Sequence, residues 1–288
     1  PKPSSSASDV YKRQVLLIQC TDRKGLVATI ANVLAEYSLN ITTLREFVDQ
    51  ENNQFFARFM CEGNADYTSI KTDLNQALPE DAIITINPNP HKKVAVLVTK
   101  EYHCLSDILV RNHFGTLGAS VECVIGNHPD LEDLCKRFSI PFHFVTHEEK
   151  NKETFEQEII STLNGYTFDY IILAKFMRIL SPAFVATYPL RVINIHHSFL
   201  PAFIGAHPYR KAFERGVKLI GATAHFVTDS LDEGPIISQE TISVNHTFTP
   251  ADMVKAGKEI EKSVLAKAVQ LVLQDRVFVY GNKTVVFE

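Results

Sequence analysis

The chain has 288 residues, 45% of them hydrophobic and 22% charged, which suits a globular protein of one or two domains. Its 29 Lys and Arg against 33 Asp and Glu give a formal charge of −4, with no strongly basic segment, so a nucleic-acid footprint is excluded. Five cysteines without Cys-x-x-Cys spacing argue against a disulfide framework and for a reducing, cytoplasmic setting. Apolar runs such as Tyr170 to Ala174 are far too short to span a bilayer, so no membrane partner is expected.

Residues 1–13 have no apolar signal core and read as a tag, linker or adaptor-derived segment, outside the fold argument. From Val15 a strand (VLLIQC) leads through Thr21 to Gly25 into an amphipathic helix ending near Tyr37, with Leu26, Ile30, Val33 and Leu34 at helical spacing. Strands follow near Ile41 to Val48 and Gln54 to Cys61, then a helix near Tyr67 to Leu78 and a strand near Ala82 to Ile86. This β-α-β-β-α-β order over 14–87 predicts a ferredoxin-like unit. Residues 88–93 break every period and read as a linker.

Over 94–288 strands and helices alternate: VAVLVT, a helix near Cys104 to Asn112, SVECVIG, a helix near Leu131 to Phe138, PFHFV, a helix near Phe155 to Leu163, DYIILA, a short helix from Ser181, and RVINIH. The pattern predicts an α/β domain with a Rossmann-like, mostly parallel sheet covered on both faces. Strands near Leu219 to Val227 and Ile236 to Val244, a long helix Pro250 to Leu273 and a hairpin turning at Gly281-Asn282 are expected to extend the sheet edge with antiparallel strands.

In open α/β sheets ligands bind at the carboxyl ends of strands. One strand here ends in Asn194-Ile195-His196, so the amide and the imidazole project from the same face. A loop carries Asp229 and Asp232 ahead of Gly234-Pro235. Amide, imidazole and carboxylate together form a plausible acyl-transfer set: one donor for an oxyanion, one proton carrier, one group to orient it. Taken singly, a strand-end histidine is more often structural and Asp232 is a turn residue. His197 is expected to face away from His196 if the strand persists, and to play a structural or supporting part. Ser198 lacks a Gly-x-Ser-x-Gly elbow, and no Gly-x-Gly-x-x-Gly or phosphate loop supports a nucleotide cofactor. No metal is expected.

Three long segments, AKFMRILSPAFV (174–185), NIHHSFLPAFIGAHPYRKAFERGVKLIGATAHFVTDSLDEGPII (194–237) and QDRVFVYGNKT (274–284), closely resemble formyltetrahydrofolate deformylases. CTDRKGLVATIANVLAEYSLNI (20–41) resembles an ACT domain, the regulatory module that usually precedes that catalytic domain. The resemblance implies hydrolysis of 10-formyltetrahydrofolate to formate and tetrahydrofolate, supplying formate for purine synthesis, with no permanently bound cofactor. It implies Asn194, His196 and Asp232 as the catalytic set, and a folate wall built from Phe176, Met177, Arg178, Ile179, Leu180, Val227 and Asp229. Met177, Ile179 and Leu180 can equally be plain core.

A folate-dependent formyltransferase to an amine is the alternative enzyme, and an amino-acid-sensing binding protein the alternative of another class. Thr99 to Leu105 holds no glycine, where transferases to glycinamide ribonucleotide carry a Gly-rich loop for the acceptor's phosphate, so water is the expected acceptor. At the ACT-like half, Asp22, Arg23 and Gly25 stand at a helix N-terminus suited to a carboxylate ligand, with glycine or methionine as candidate effectors. The resemblance further implies a homo-oligomer, a dimer through the ACT halves or a tetramer.

Overall fold

The computed structural model describes residues 13–87, 91–201 and 208–288, and the chain divides into two compact units, residues 1–90 and 91–286. The segment read as a tag lies outside the described residues apart from Arg13, as do 88–90 of the linker.

The first unit runs β1 (Arg13–Thr21), α1 (Leu26–Glu36), β2 (Asn40–Asp49), β3 (Gln54–Glu62), α2 (Tyr67–Ala77) and β4 (Ile83–Asn87). Its strands form one antiparallel sheet in the order β2-β3-β1-β4, as the β-α-β-β-α-β reading requires. The four apolar positions picked out by helical spacing, Leu26, Ile30, Val33 and Leu34, are the buried face of α1. They pack with Ile18, Phe55 and Phe59 of the sheet, and each such side chain contributes roughly 1.5–3 kcal/mol through burial. Asp66 caps α2, accepting hydrogen bonds from the Thr68 and Ser69 N–H groups.

The second unit holds β5 (Lys92–Val98), α3 (His103–His113), β6 (Ala119–Gly126), a 3-10 turn at Pro129–Leu131, α4 (Glu132–Arg137), β7 (Phe142–Phe144), α5 (Lys152–Leu163), β8 (Tyr170–Leu173), α6 (Pro182–Thr187) and β9 (Val192–His196). It continues with α7 (Pro208–Arg215), β10 (Leu219–Phe226), β11 (Ile236–Ser243), α8 (Pro250–Leu273), β12 (Val277–Tyr280) and β13 (Lys283–Val286). Seven strands form a sheet in the order β11-β10-β9-β8-β5-β6-β7, parallel from β9 to β7 and antiparallel at β10 and β11. Alternate residues of β5 enter different cores. Val94, Val96 and Val98 meet α3 and α8 on one face, and Ala95 and Leu97 meet α5 on the other.

Three expectations change. The closing hairpin β12–β13 is a separate two-stranded ribbon and does not extend the large sheet. Helix α7 was not foreseen: PYRKAFER is short and highly charged, and among the described side chains Tyr209 and Ala212 anchor it. Strand β5 begins at Lys92, inside the segment read as linker. Lys92 is buried 3.4 Å from Asp275, and the Lys93 N–H donates to Asp169 at 2.7 Å, so two residues that look solvated are tied into the sheet.

Candidate active site

The order of the parallel strands reverses at β5 and β8, since β6 lies on one side of β5 and β8 on the other. That is the switch point beside which ligands bind at strand carboxyl ends. In β9, Ile193 and Ile195 enter the core under α8, so Asn194 and His196 project to the opposite face. Strand β10 pairs antiparallel with β9 in a register that sets His225 opposite Asn194 and Thr223 opposite His196.

That register explains a residue the sequence reading missed. His225 Nδ1 lies 2.9 Å from the Phe226 carbonyl, which can only accept, so Nδ1 carries the proton. Its Nε2 then accepts from Asn194 Nδ2 at 3.2 Å. Burial pushes the His225 pKa down, which keeps it the neutral acceptor this bond requires. His225 thus orients the Asn194 amide.

Asp232 reaches the same place from the loop between β10 and β11. Its backbone is left-handed, with φ 57°, and the chain closes behind it at Gly234, where a Cβ would lie 1.8 Å from the Phe226 carbonyl oxygen. The Asp232 carboxylate stands 3.2 Å from His196 Nδ1 and 3.8 Å from His225 Nε2. Burial opposes its ionisation, yet the His196 hydrogen bond and the neighbouring imidazoles outweigh burial and hold its pKa below the usual range. With Nδ1 committed to the carboxylate, His196 Nε2 is a buried nitrogen that pairs with no group among the described residues.

His197 departs from expectation. The alternation that would turn it away stops where β9 ends, and its ring stacks on that of His196 with centroids 5.1 Å apart and planes 26° apart. Burial first, then the nearby Lys175 and His196, depress its pKa to about 4.

A cavity of about 580 Å³, within the range of small-molecule sites, is lined by Asn194, His196, His197, His225 and Asp232. Every residue expected on the folate wall also lines it: Phe176, Met177, Arg178, Ile179, Leu180, Val227 and Asp229. Phe176 is buried and stacked on Phe155. Met177 and Ile179 are not core, being 54% and 61% exposed, so they form an apolar rim to the cavity. The Met177 N–H donates to Thr99 Oγ1 at 2.9 Å, and Ser181 bonds the buried Glu156, which pins the 176–180 loop at both ends.

The remaining wall is charged and was not anticipated. Glu261, 1% exposed on α8, receives Tyr209 OH at 2.6 Å, His103 Nε2 at 2.8 Å and Lys175 Nζ at 3.2 Å. Among the described residues, His103, Cys104 and Glu261 gather closely enough to suggest a cation site. The Lys175 ammonium already holds that carboxylate, and burial pushes the Cys104 thiol far up, so the set does not suit a metal ion. The only advance signal was Lys175 itself, a cation following the apolar strand YIIL.

In the first unit, Gly25 opens α1 with φ 88° and no side chain caps the helix. Arg23 Nη2 donates to the Ala77 carbonyl at 2.6 Å and the Asp22 N–H to the Asn53 carbonyl at 2.8 Å, so both residues are engaged in tying the turn down.

Comparison with known proteins bears on both units. The family model for formyl transferase matches residues 92–269, and that for the ACT domain matches residues 14–78. The formyltetrahydrofolate deformylase of Haemophilus influenzae is 50% identical over 96% of this chain and 100% of its own length. The crystal structure of a formyltetrahydrofolate deformylase from Pseudomonas syringae superposes with a TM-score of 0.90 at 40% identity, covering 96% of this chain and 95% of that one. Glycinamide ribonucleotide transformylase 1 from Symbiobacterium toebii reaches a TM-score of 0.66 at 28% identity, covering 69% of this chain and 96% of its own. The likeness to the formyltetrahydrofolate deformylases runs along nearly the full length and through both units, and the chain belongs to the formyltetrahydrofolate deformylase family.

Proposed function

We propose that Asn194, His196 and Asp232 perform the reaction of this family on the chain's own cavity: 10-formyltetrahydrofolate and water give formate, tetrahydrofolate and a proton. The observation that carries this reading is the His196 imidazole, with Nδ1 3.2 Å from Asp232 and Nε2 without a partner among the described residues. The Nδ1–H donates to the carboxylate, which leaves the Nε2 lone pair to take a proton from the attacking water. As the water oxygen bonds to the formyl carbon, the formyl oxygen gains charge and accepts the Asn194 N–H that His225 does not use. The C–N10 bond then breaks, and the proton held on the imidazole passes to N10. Asp232, held ionised, stabilises the imidazolium between those steps.

The bicyclic head of the folate would lie along Phe176, Met177, Ile179, Leu180 and Val227, with Arg178 and Asp229 as polar contacts. No permanently bound cofactor is needed for this chemistry. The test is formate release from 10-formyltetrahydrofolate with no amine present, and a requirement for an added amine would overturn the reading in favour of a transferase.

We further propose a regulatory role for residues 14–87, joined to a catalytic part whose first strand, β5, begins at Lys92. The uncapped N-terminus of α1 at Gly25 favours the carboxylate of an amino acid such as glycine or methionine, beside Asp22 and Arg23. ACT domains take such ligands between paired copies, so a dimer or tetramer is expected. Calorimetry of the full chain with each amino acid tests it, and absence of heat would leave only an assembling role. All five cysteines are free and buried, which suits a cytoplasmic chain. Among the described residues, no helix is long and apolar enough to cross a membrane.

A further inference from the structure

Lys175 and Glu261 play no part in the steps above, yet both line the cavity in which those steps occur. Several features show that the pair is built in. Lys175 follows β8 with φ 63°, a left-handed backbone in which a side chain is disfavoured, and is nevertheless 7% exposed with its ammonium on Glu261. Gly257 lies one helical turn before Glu261 on α8, and a Cβ there would fall 2.1 Å from the Tyr209 ring. The missing side chain therefore admits the ring whose hydroxyl reaches Glu261 at 2.6 Å. Tyr209 also neighbours His197 at 6.4 Å between ring centroids, and His197 stacks on His196, so this wall adjoins the proposed reacting centre.

Both oxygens of Glu261 are thereby occupied, Oε1 by Tyr209 and Oε2 by His103 and Lys175. At the rim Glu101 bonds Lys258 at 2.6 Å and leaves that cation paired as well. An amine acceptor needs two things here: room beside the formyl carbon, and a carboxylate or carbonyl to hold its N–H groups while a lone pair attacks. Lys175 opposes both, since its buried side chain lines that wall of the cavity and its ammonium holds the carboxylate. A paired ammonium also has no lone pair with which to attack. Water needs neither the room nor the carboxylate.

We propose that the buried Lys175–Glu261 pair, braced by His103 and Tyr209, occupies the acceptor side of the cavity and makes water the only nucleophile admitted to the formyl carbon. The inference rests on the hydrolase reading above. Opening this wall diverts the same formyl group: an amine nitrogen bonds to the formyl carbon, the C–N10 bond breaks, and the proton lost by the amine ends on N10.

The experiment gives the full-length protein 10-formyltetrahydrofolate with glycinamide as the probe amine and measures N-formylglycinamide against formate by mass spectrometry. Wild type and Lys175→Arg should yield formate alone. Lys175→Gly should raise the ratio of formylated amine to formate by at least about tenfold, the scale on which one filled or emptied subsite discriminates substrates. Lys175→Gly/Glu261→Gln, which leaves no unpaired charge buried, carries the measurement if the single variant does not fold. Two results overturn the inference: transfer to glycinamide by wild type, or a folded, formate-releasing double variant with the wild-type ratio. A wild type that released no formate without amine would instead remove the hydrolase reading itself, and this inference with it.

Discussion

Two polar clusters share the cavity of the second unit, and they are finished differently. Around Glu261 every carboxylate oxygen is claimed by a protein donor, and burial, which alone would oppose ionisation, is outweighed by His103, Lys175 and Tyr209 so that the pKa falls to about 2. Around His196, Nδ1 is claimed by Asp232, and Nε2 has no partner among the described residues. An unsatisfied buried nitrogen costs free energy unless a ligand meets it, whereas a saturated carboxylate has nothing left to offer one. The open cluster is where chemistry is expected and the closed one is where it is excluded.

The sharpest way to break this contrast is through activity. His196→Ala should lower kcat by roughly 10²–10⁴ by removing the proton carrier, and Asn194→Ala by roughly 10²–10³ by removing the oxyanion donor. Folate binding, followed by fluorescence titration, should persist in both. Wild-type turnover in either variant would show that the open cluster is not the reacting centre.

The closed cluster should answer in stability. Glu261→Ala leaves Lys175 buried without its partner and should cost roughly 3–5 kcal/mol, read from the urea midpoint. A loss below about 1 kcal/mol would show that the pair is solvated in solution. His197 between the clusters should set a pH dependence. Its folded pKa of about 4 lies below the ordinary histidine value of 6.5, so between those values the unfolded chain binds the proton more readily. Stability should therefore be full above pH 6.5 and fall as pH drops toward 4, with a shallower fall of Tm in His197→Gln. The smallest effect is expected at Thr249, whose hydroxyl accepts the Asp252 N–H at the start of α8. Thr249→Ala should cost about 1 kcal/mol in chemical denaturation and leave the formate rate unchanged, since the cap lies outside both clusters.

Much of the architecture was legible because it is written in local periodicity. The spacing of Leu26, Ile30, Val33 and Leu34 marked the buried face of α1, and Pro250 to Leu273 was read with its ends intact, Thr249 capping the first turn. The fate of the hairpin β12–β13 was not legible, because an apolar strand pair can join a sheet or stand apart with the same pattern. In the site, Asn194, His196 and Asp232 were named from their contexts, and the fold brings them to one cavity. His197 was misjudged because alternation holds only as far as the strand does, and β9 stops one residue earlier.

Periodicity and motif thus decided which segments become strands and helices and which polar groups stand at strand ends, since both depend on neighbours within a few residues. The partnership of His225 with Asn194 came from the register of two antiparallel strands, and that of Lys175 with Glu261 from packing α8 against the sheet. Those pairs lie 31 and 86 residues apart, and at such distances only the folded arrangement of backbone and cavity selects which charge meets which.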